Sequence, residues 1–200
     1  MESIKIWNDR PSEKQLEEIS QYIRDGKIVI MPTDTIYALA CSALDPKAIE
    51  KLCKLKNINP EKTNLSIICS GIAMASEYAK INNNVFKILK ENTPGPFTFL
   101  LNTLSSLPRA FKGRKVVGLR IPDNETCLKL TELLNIPLLT TSVDIGDTDY
   151  AINPELIAEN YEGRADLIVM GEEGETIPST IVDLTGDKPV IVREGKGVLK

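Results

Sequence analysis

Ile28-Val29-Ile30-Met31-Pro32-Thr33-Asp34-Thr35-Ile36-Tyr37-Ala38-Leu39 changes character at its fifth residue. The apolar run after Gly26 has the length of a buried strand. Pro32 lacks an N–H and ends the pairing, and three polar side chains follow at once. A buried strand ending in Pro-Thr-Asp-Thr carries two hydroxyls and a carboxylate to the carboxyl edge of a sheet. Open α/β folds bind their ligands at that edge. Read alone, the same four residues are also a turn whose side chains hydrogen-bond their own backbone. The rest of the chain has to decide between the two.

With 200 residues and 42% hydrophobic content, the chain has the size of one α/β domain spanning 1–200. It has no run of eighteen apolar residues and no apolar signal core after Met1, so a cytoplasmic protein without a membrane anchor is expected. Cys41, Cys53, Cys69 and Cys127 are scattered and read as small buried hydrophobes in a reducing compartment. Histidine is absent, which excludes a Ser-His-Asp triad, a Cys-His pair and histidine-ligated metals. Carboxylates, lysines, arginines, hydroxyls and backbone amides remain, a set suited to positioning anionic, phosphate-bearing substrates. The net charge of −4 opposes nucleic-acid binding over the whole surface but allows a local basic patch.

Helix and strand signals alternate along the chain. Ser12 and Gln15 form a capping box ahead of Leu16, Ile19 and Ile23, with Gly26 as the stop. Asp45-Pro46 starts a second helix that ends in Lys51, Lys54 and Lys56. Further helices are expected over 73–78, 84–90 and 125–134 and from Asn153-Pro154. Strands are expected over 65–69, 97–101, 116–121 and 137–141 and near 166–170, 180–184 and 190–193. Without a strict βαβ repeat, this pattern implies one twisted mixed sheet with packed helices.

Several expected strands run into polar or cationic residues. Thr33-Asp34-Thr35 follows one, Arg120 closes another and Thr140-Thr141-Ser142 a third, while Ser179-Thr180 opens one and Arg193 closes the last. Hydroxyls gathered with Lys56, Lys62, Arg120 and Arg193 would neutralise a carboxylate and a polyphosphate together. Each residue alone has a plainer role in turns and solvated helix ends.

Pro32-Thr33-Asp34-Thr35-Ile36-Tyr37-Ala38-Leu39 resembles the P-T-D-T-[VI]-Y-G-L signature of the YrdC family of threonylcarbamoyl-AMP synthases. The resemblance continues through Lys56, Pro94-Gly95-Pro96-Phe97-Thr98 and Gly118-Leu119-Arg120-Ile121-Pro122. It runs on through Thr141-Ser142, Ser179-Thr180-Ile181-Val182-Asp183 and Val192-Arg193-Glu194-Gly195. Blocks in this order over nearly the whole chain make it highly specific. It implies a YrdC-like α/β fold, a twisted open mixed sheet with flanking helices and a large cationic cavity. It also implies condensation of L-threonine, bicarbonate and ATP into threonylcarbamoyl-adenylate, with release of pyrophosphate. Separate tRNA-modification proteins then pass the threonylcarbamoyl group to tRNA. Carried over by position, Thr35, Arg120, Ser179 and Thr180 hold threonine, while Lys56, Lys62, Asn64, Thr141, Ser142 and Arg193 line the nucleotide. No residue acts as a covalent or acid–base catalyst, and Mg2+ comes with ATP, held largely by its phosphates.

Three positions depart from the family pattern. Ile58 replaces the arginine of Lys-x-Arg, removing a charge-assisted phosphate contact worth about 1.5–3 kcal/mol unless Lys62 supplies the charge. Asp144 replaces the asparagine of Thr-Ser-Ala-Asn; a metal ligand, a contact to the threonine ammonium and a solvent-facing loop residue are three readings of it. Ala38 replaces the signature glycine. Lys62-Thr63-Asn64-Leu65-Ser66 and the Thr141-Ser142-Val143-Asp144 block are more similar to the YciO-like branch, and with Lys200 as its last residue the chain is expected to lack the extra domain of longer members. Two functions follow: an adenylate-forming enzyme, or a YciO-like paralogue that binds double-stranded RNA or tRNA without synthase activity. A purely structural role leaves the ordered polar blocks unexplained.

Overall fold

The computed structural model describes every residue except 60–64, 105, 106, 108–114, 145, 147 and 148. Ten strands form one sheet: β1 (Glu2–Lys5), β2 (Val29–Met31), β3 (Ala38–Ser42), β4 (Ser66–Ile68), β5 (Phe97–Asn102), β6 (Val116–Arg120), β7 (Leu138–Ser142), β8 (Leu167–Met170), β9 (Thr180–Asp183) and β10 (Val190–Arg193). Their order is β1-β8-β2-β3-β7-β4-β6-β5-β9-β10. The pairs β1/β8, β2/β8, β4/β6 and β5/β9 are parallel, whereas the other five are antiparallel. The sheet is mixed, twisted and open, with α1 (Glu13–Arg24), α2 (Pro46–Leu55), α3 (Ile72–Ala75), α4 (Asn83–Asn92), α5 (Glu125–Leu134), α6 (Asp149–Ile152) and α7 (Pro154–Asn160) flanking it.

Local chemistry accounts for the helix ends. Ser12 and Gln15 cap α1 reciprocally, and Gly26, at φ +69, takes the left-handed turn that leads into β2. Asp45 caps α2 by accepting from the amides of Lys47 and Ala48, with Pro46 at the first helical position. α5 has the expected bounds; α3, expected over 73–78, stops at Ala75.

The apolar run 28–31 is continuous because both sides of the sheet are covered there. Val29 and Met31 pack with Leu16, Ile19 and Ile23 of α1 and Cys127 and Leu130 of α5. Ile28 and Ile30 point the other way, into a larger core with Ile49, Leu52, Leu89, Phe99 and Ile157. Cross-strand partners project to the same face. The α1/α5 face therefore continues through Ala40, Thr140, Ser66 and Gly118, which the register places in one row. Along that row the apolar side chains give way to small and hydroxylated ones. There the sheet face is hollow.

Candidate functional site

The hollow is a cavity of about 190 Å³ lined by Ser66, Thr98, Arg120, Thr140, Ser142 and Arg193, with Ala38, Ile58, Leu65, Thr141, Ser179 and Ile181 completing its wall. The part enclosed by described residues is smaller than the roughly 300–1,000 Å³ of drug-sized pockets. Gly118 makes the floor possible. A Cβ there would sit 2.6 Å from Ser66 Oγ and 3.1 Å from Thr98 Cγ2.

At one end stands Arg120, the last residue of β6, with only 6% of its surface exposed. One terminal nitrogen donates to Asp34 Oδ1 at 2.7 Å and to Thr35 Oγ1 at 3.1 Å. Asp34 is buried as well, and its Oδ2 accepts from the amide of Asp123 at 3.0 Å. Thr33 Oγ1 donates its one proton to the carbonyl of Ile36 at 2.9 Å. The 3.2 Å contact between the two threonine hydroxyls is therefore donated by Thr35. Thr35 thus gives its proton to Thr33 and accepts from Arg120, and one lone pair remains. The Pro-Thr-Asp-Thr stretch is both of the things its sequence allowed: a hydrogen-bonded turn, and the holder of Arg120. Arg120 Nε is buried and has no partner among the described residues. Such an orphaned donor costs about 1–3 kcal/mol, which an anion beside it would recover.

Ser179 and Arg193 form the adjoining wall. Arg193 donates to the Ser179 carbonyl at 2.7 Å and, more weakly, to its hydroxyl at 3.4 Å; that hydroxyl also shares a 2.8 Å bond with Thr98. The partners of Arg193 are oxygens of Ser179 rather than a carboxylate. Burial, and then the nearby charge of Arg120, lower its pKa from the ordinary guanidinium value. The Thr180 hydroxyl is engaged elsewhere: it donates to the Gly197 carbonyl at 2.6 Å and accepts from the Gly195 amide at 3.1 Å. Thr180 thus holds the chain's last residues against β9, while its neighbour Ser179 faces the cavity.

The opposite end carries Lys56, at the C-terminal cap of α2, where a cation suits the helix dipole. Its ammonium pairs with Asp144 Oδ1. Asp144 Oδ2 accepts from the Tyr161 hydroxyl at 3.0 Å, and the same hydroxyl accepts from the Asp144 amide at 3.1 Å. The Lys56 hydrogen bond, ahead of the other causes, lowers the Asp144 carboxyl below the ordinary carboxylate range. Burial pushes the Tyr161 hydroxyl up to about 12. Ile58 and Ser142, each two residues from a member of this ion pair, line the cavity wall.

The fold therefore gathers Thr35, Arg120, Ser179, Thr141, Ser142 and Arg193 around one hollow, sets Lys56 at its margin and turns the Thr180 hydroxyl to the tail. Lys62 and Asn64 lie outside the described residues. Ser66, Thr98 and Thr140 join the lining; for Ser66 and Thr98 a lone polar residue between apolar neighbours was the available signal, and Thr140 begins the polar end of its strand. Tyr161, at the end of α7, gave none. Among the described residues, no group of three or more His, Cys, Asp and Glu is arranged to hold a metal ion. No described helix is long and apolar enough to cross a membrane.

A mixed open sheet with a hydroxyl- and arginine-lined hollow on one face is the class of protein that the geometry defines. The chain belongs to the Sua5–YciO–YrdC family, whose family model, described as "Telomere recombination", matches residues 21–195. It is 34% identical to Escherichia coli YciO over 198 residues, covering 98% of this chain and 96% of that protein. The crystal structure of E. coli YciO superposes with a TM-score of 0.91, covering 99% of this chain and 98% of that one. A Methanocaldococcus jannaschii protein named as a putative threonylcarbamoyl-AMP synthase is 32% identical, with 96% and 92% covered. Pyrococcus abyssi Sua5, crystallised with L-threonine, matches at 30% identity and a TM-score of 0.88; 98% of this chain corresponds to 58% of that longer one. The likeness to YciO agrees with the branch implied by the altered motifs.

Proposed function

We propose that the protein is a nucleotidyl-transferring enzyme that makes L-threonylcarbamoyl-AMP from L-threonine, bicarbonate and ATP, as a supplier for tRNA modification. The observation that carries this reading is the buried, unpartnered Nε of Arg120 within a polar hollow. A substrate carboxylate is an anion that the free Nε–H can hold by a charge-assisted hydrogen bond. The L-threonine held by the P. abyssi relative and the synthase names of two relatives support that choice of substrate.

In this reading Arg120 takes the threonine carboxylate, and Thr35 and Asp34 fix the angle of the guanidinium. The threonine amine condenses with bicarbonate to the carbamate with loss of water, and one carbamate oxygen attacks the α-phosphorus while pyrophosphate leaves. That displacement needs alignment and charge neutralisation rather than an imidazole base, in keeping with a chain that has no histidine. Arg193 and the Ser142 hydroxyl face the nucleotide, with Thr141 beside them in the wall. Mg2+ enters as part of the ATP substrate, held by phosphate oxygens and water.

The test is purified protein with ATP, Mg2+, bicarbonate and radiolabelled threonine, read as pyrophosphate release and labelled adenylate. Threonine-dependent pyrophosphate no greater than that of an Arg120→Ala control overturns the synthase reading. A tRNA gel shift that weakens steeply with salt would then favour the RNA-binding alternative. Calorimetry gives a finer check. Arg120→Ala should weaken threonine binding about tenfold or more, from loss of a charge-assisted contact, and ATP binding much less. Equal losses would remove Arg120 from the carboxylate role.

A further inference from the structure

Arg120 in the cavity and Lys56 at its margin already have counter-ions from the chain itself, and the two pairs are built differently. Arg120 and Asp34 are both buried, with side chains 7% and 4% exposed. In the other pair the lysine is covered and the carboxylate is not: the Lys56 side chain is 11% exposed, that of Asp144 61%. Asp144 thus lies over the ammonium from the solvent side. Tyr161 fixes it there through both its carboxylate and its amide. Ile58, two residues after the lysine, gives the adjacent wall an apolar side chain that offers an incoming anion no charge. Lowered by the Lys56 hydrogen bond, the carboxyl stays ionised at neutral pH, so the pair does not open by protonation there.

We propose that Asp144 is a resident phosphate mimic: it occupies Lys56 in the free protein, must move away before phosphate reaches that lysine, and so weakens the binding of ATP and other polyphosphates. Like charges a few ångströms apart repel in proportion to the product of their charges. A retained carboxylate therefore penalises a triphosphate chain more than the single phosphate of AMP. Being largely exposed, Asp144 is held only weakly and can swing out, which makes it a latch rather than a block. The assignment of phosphate to the Lys56 end rests on the proposed nucleotide site. The latch itself needs no threonine, adenosine or catalysis.

That independence decides the experiment: titration calorimetry with inorganic tripolyphosphate and with AMP, on the wild type, Asp144→Asn, Lys56→Ala and the double variant. Asn is close to isosteric with Asp, and unchanged thermal unfolding verifies the fold. Asp144→Asn should raise tripolyphosphate affinity about fivefold or more, given what a partly exposed charge contributes, and AMP affinity less. The gain should vanish in the Lys56→Ala background. Tyr161→Phe, which releases the latch without removing its charge, should give a smaller gain. Tripolyphosphate affinity no higher in Asp144→Asn than in the wild type overturns the proposal, as does total lack of binding by both or a gain that survives loss of Lys56. If the gain holds while neither protein releases threonine-dependent pyrophosphate, the latch stands and the synthase reading fails.

Discussion

Ser179 and Thr180 are neighbours with similar chemistry and opposite employment. Strand alternation separates them: Ser179 faces Thr98 and Arg193 across the cavity wall, whereas Thr180 turns to the tail. Two consecutive polar residues carry no mark of which one faces inward, so only the pairing of β9 with β5 could assign them. Arg120 and Thr35 were more legible, because an arginine closing an apolar strand and a hydroxyl following Pro32 each stand out from their surroundings. Asp34 was visible in the motif, but its ion pair with a residue 86 positions away was not. Thr180→Val tests the separation. Losing both hydroxyl bonds should cost about 1–2 kcal/mol, seen as a lowered denaturation midpoint, with faster amide exchange at Gly195 and threonine affinity nearly unchanged. A large drop in threonine affinity with the tail still protected would show that the hydroxyl serves the cavity instead.

Among the elements, helices with explicit caps were read well, since Ser12/Gln15, Asp45-Pro46 and Asn153-Pro154 are local signals that need no tertiary context. Two strands were not anticipated. β3 reads Ala-Leu-Ala-Cys-Ser, without a β-branched residue, and is a strand because β2 and β7 flank it on both sides. β1 is four residues long and only Ile4 is buried. The cavity was equally illegible as a shape, since it is made by a row of small residues across β7, β4 and β6 rather than by any one segment. Gly118 is the tightest point of that row, which supports a prediction for β6. Gly118→Ala puts a methyl within 2.6 Å of Ser66 Oγ and 3.1 Å of Thr98 Cγ2. Overpacking of this kind should destabilise by about 1–3 kcal/mol and shrink the hollow, weakening threonine binding as well. Full stability in chemical denaturation would mean that Ser66 rotates aside at no cost.

At the scale of the whole molecule, burial of titratable groups sets the alkaline limit. Desolvation raises the thiols of Cys41, Cys69 and Cys127, that of Cys69 to about 12, and raises the Tyr37 hydroxyl well above its ordinary value. In the unfolded chain thiols ionise from about pH 8.5, while the folded protein keeps its protons. The unfolded state then binds fewer protons than the native one, so stability falls as pH rises through that window. Thermal unfolding should accordingly be level from pH 6 to 8 and drop progressively above about 9. Native protein at pH 8 should react with a thiol reagent only as fast as it unfolds. Rapid labelling of any of the four buried cysteines would contradict the burial.

The pairing of β1 with β8 bears on how this chain is made. Glu2 lies beside Leu167, and β1 is the outermost strand, with β8 as its one neighbour among the described residues. β1 therefore leaves the ribosome without its partner, which follows some 165 residues later. At about 5–20 residues per second, that wait lasts roughly ten to thirty seconds. Throughout it Ile4, the one apolar side chain of β1, has no sheet edge to join. The charged residues Glu2 and Lys5 on either side keep that waiting strand a poor template for neighbouring nascent chains.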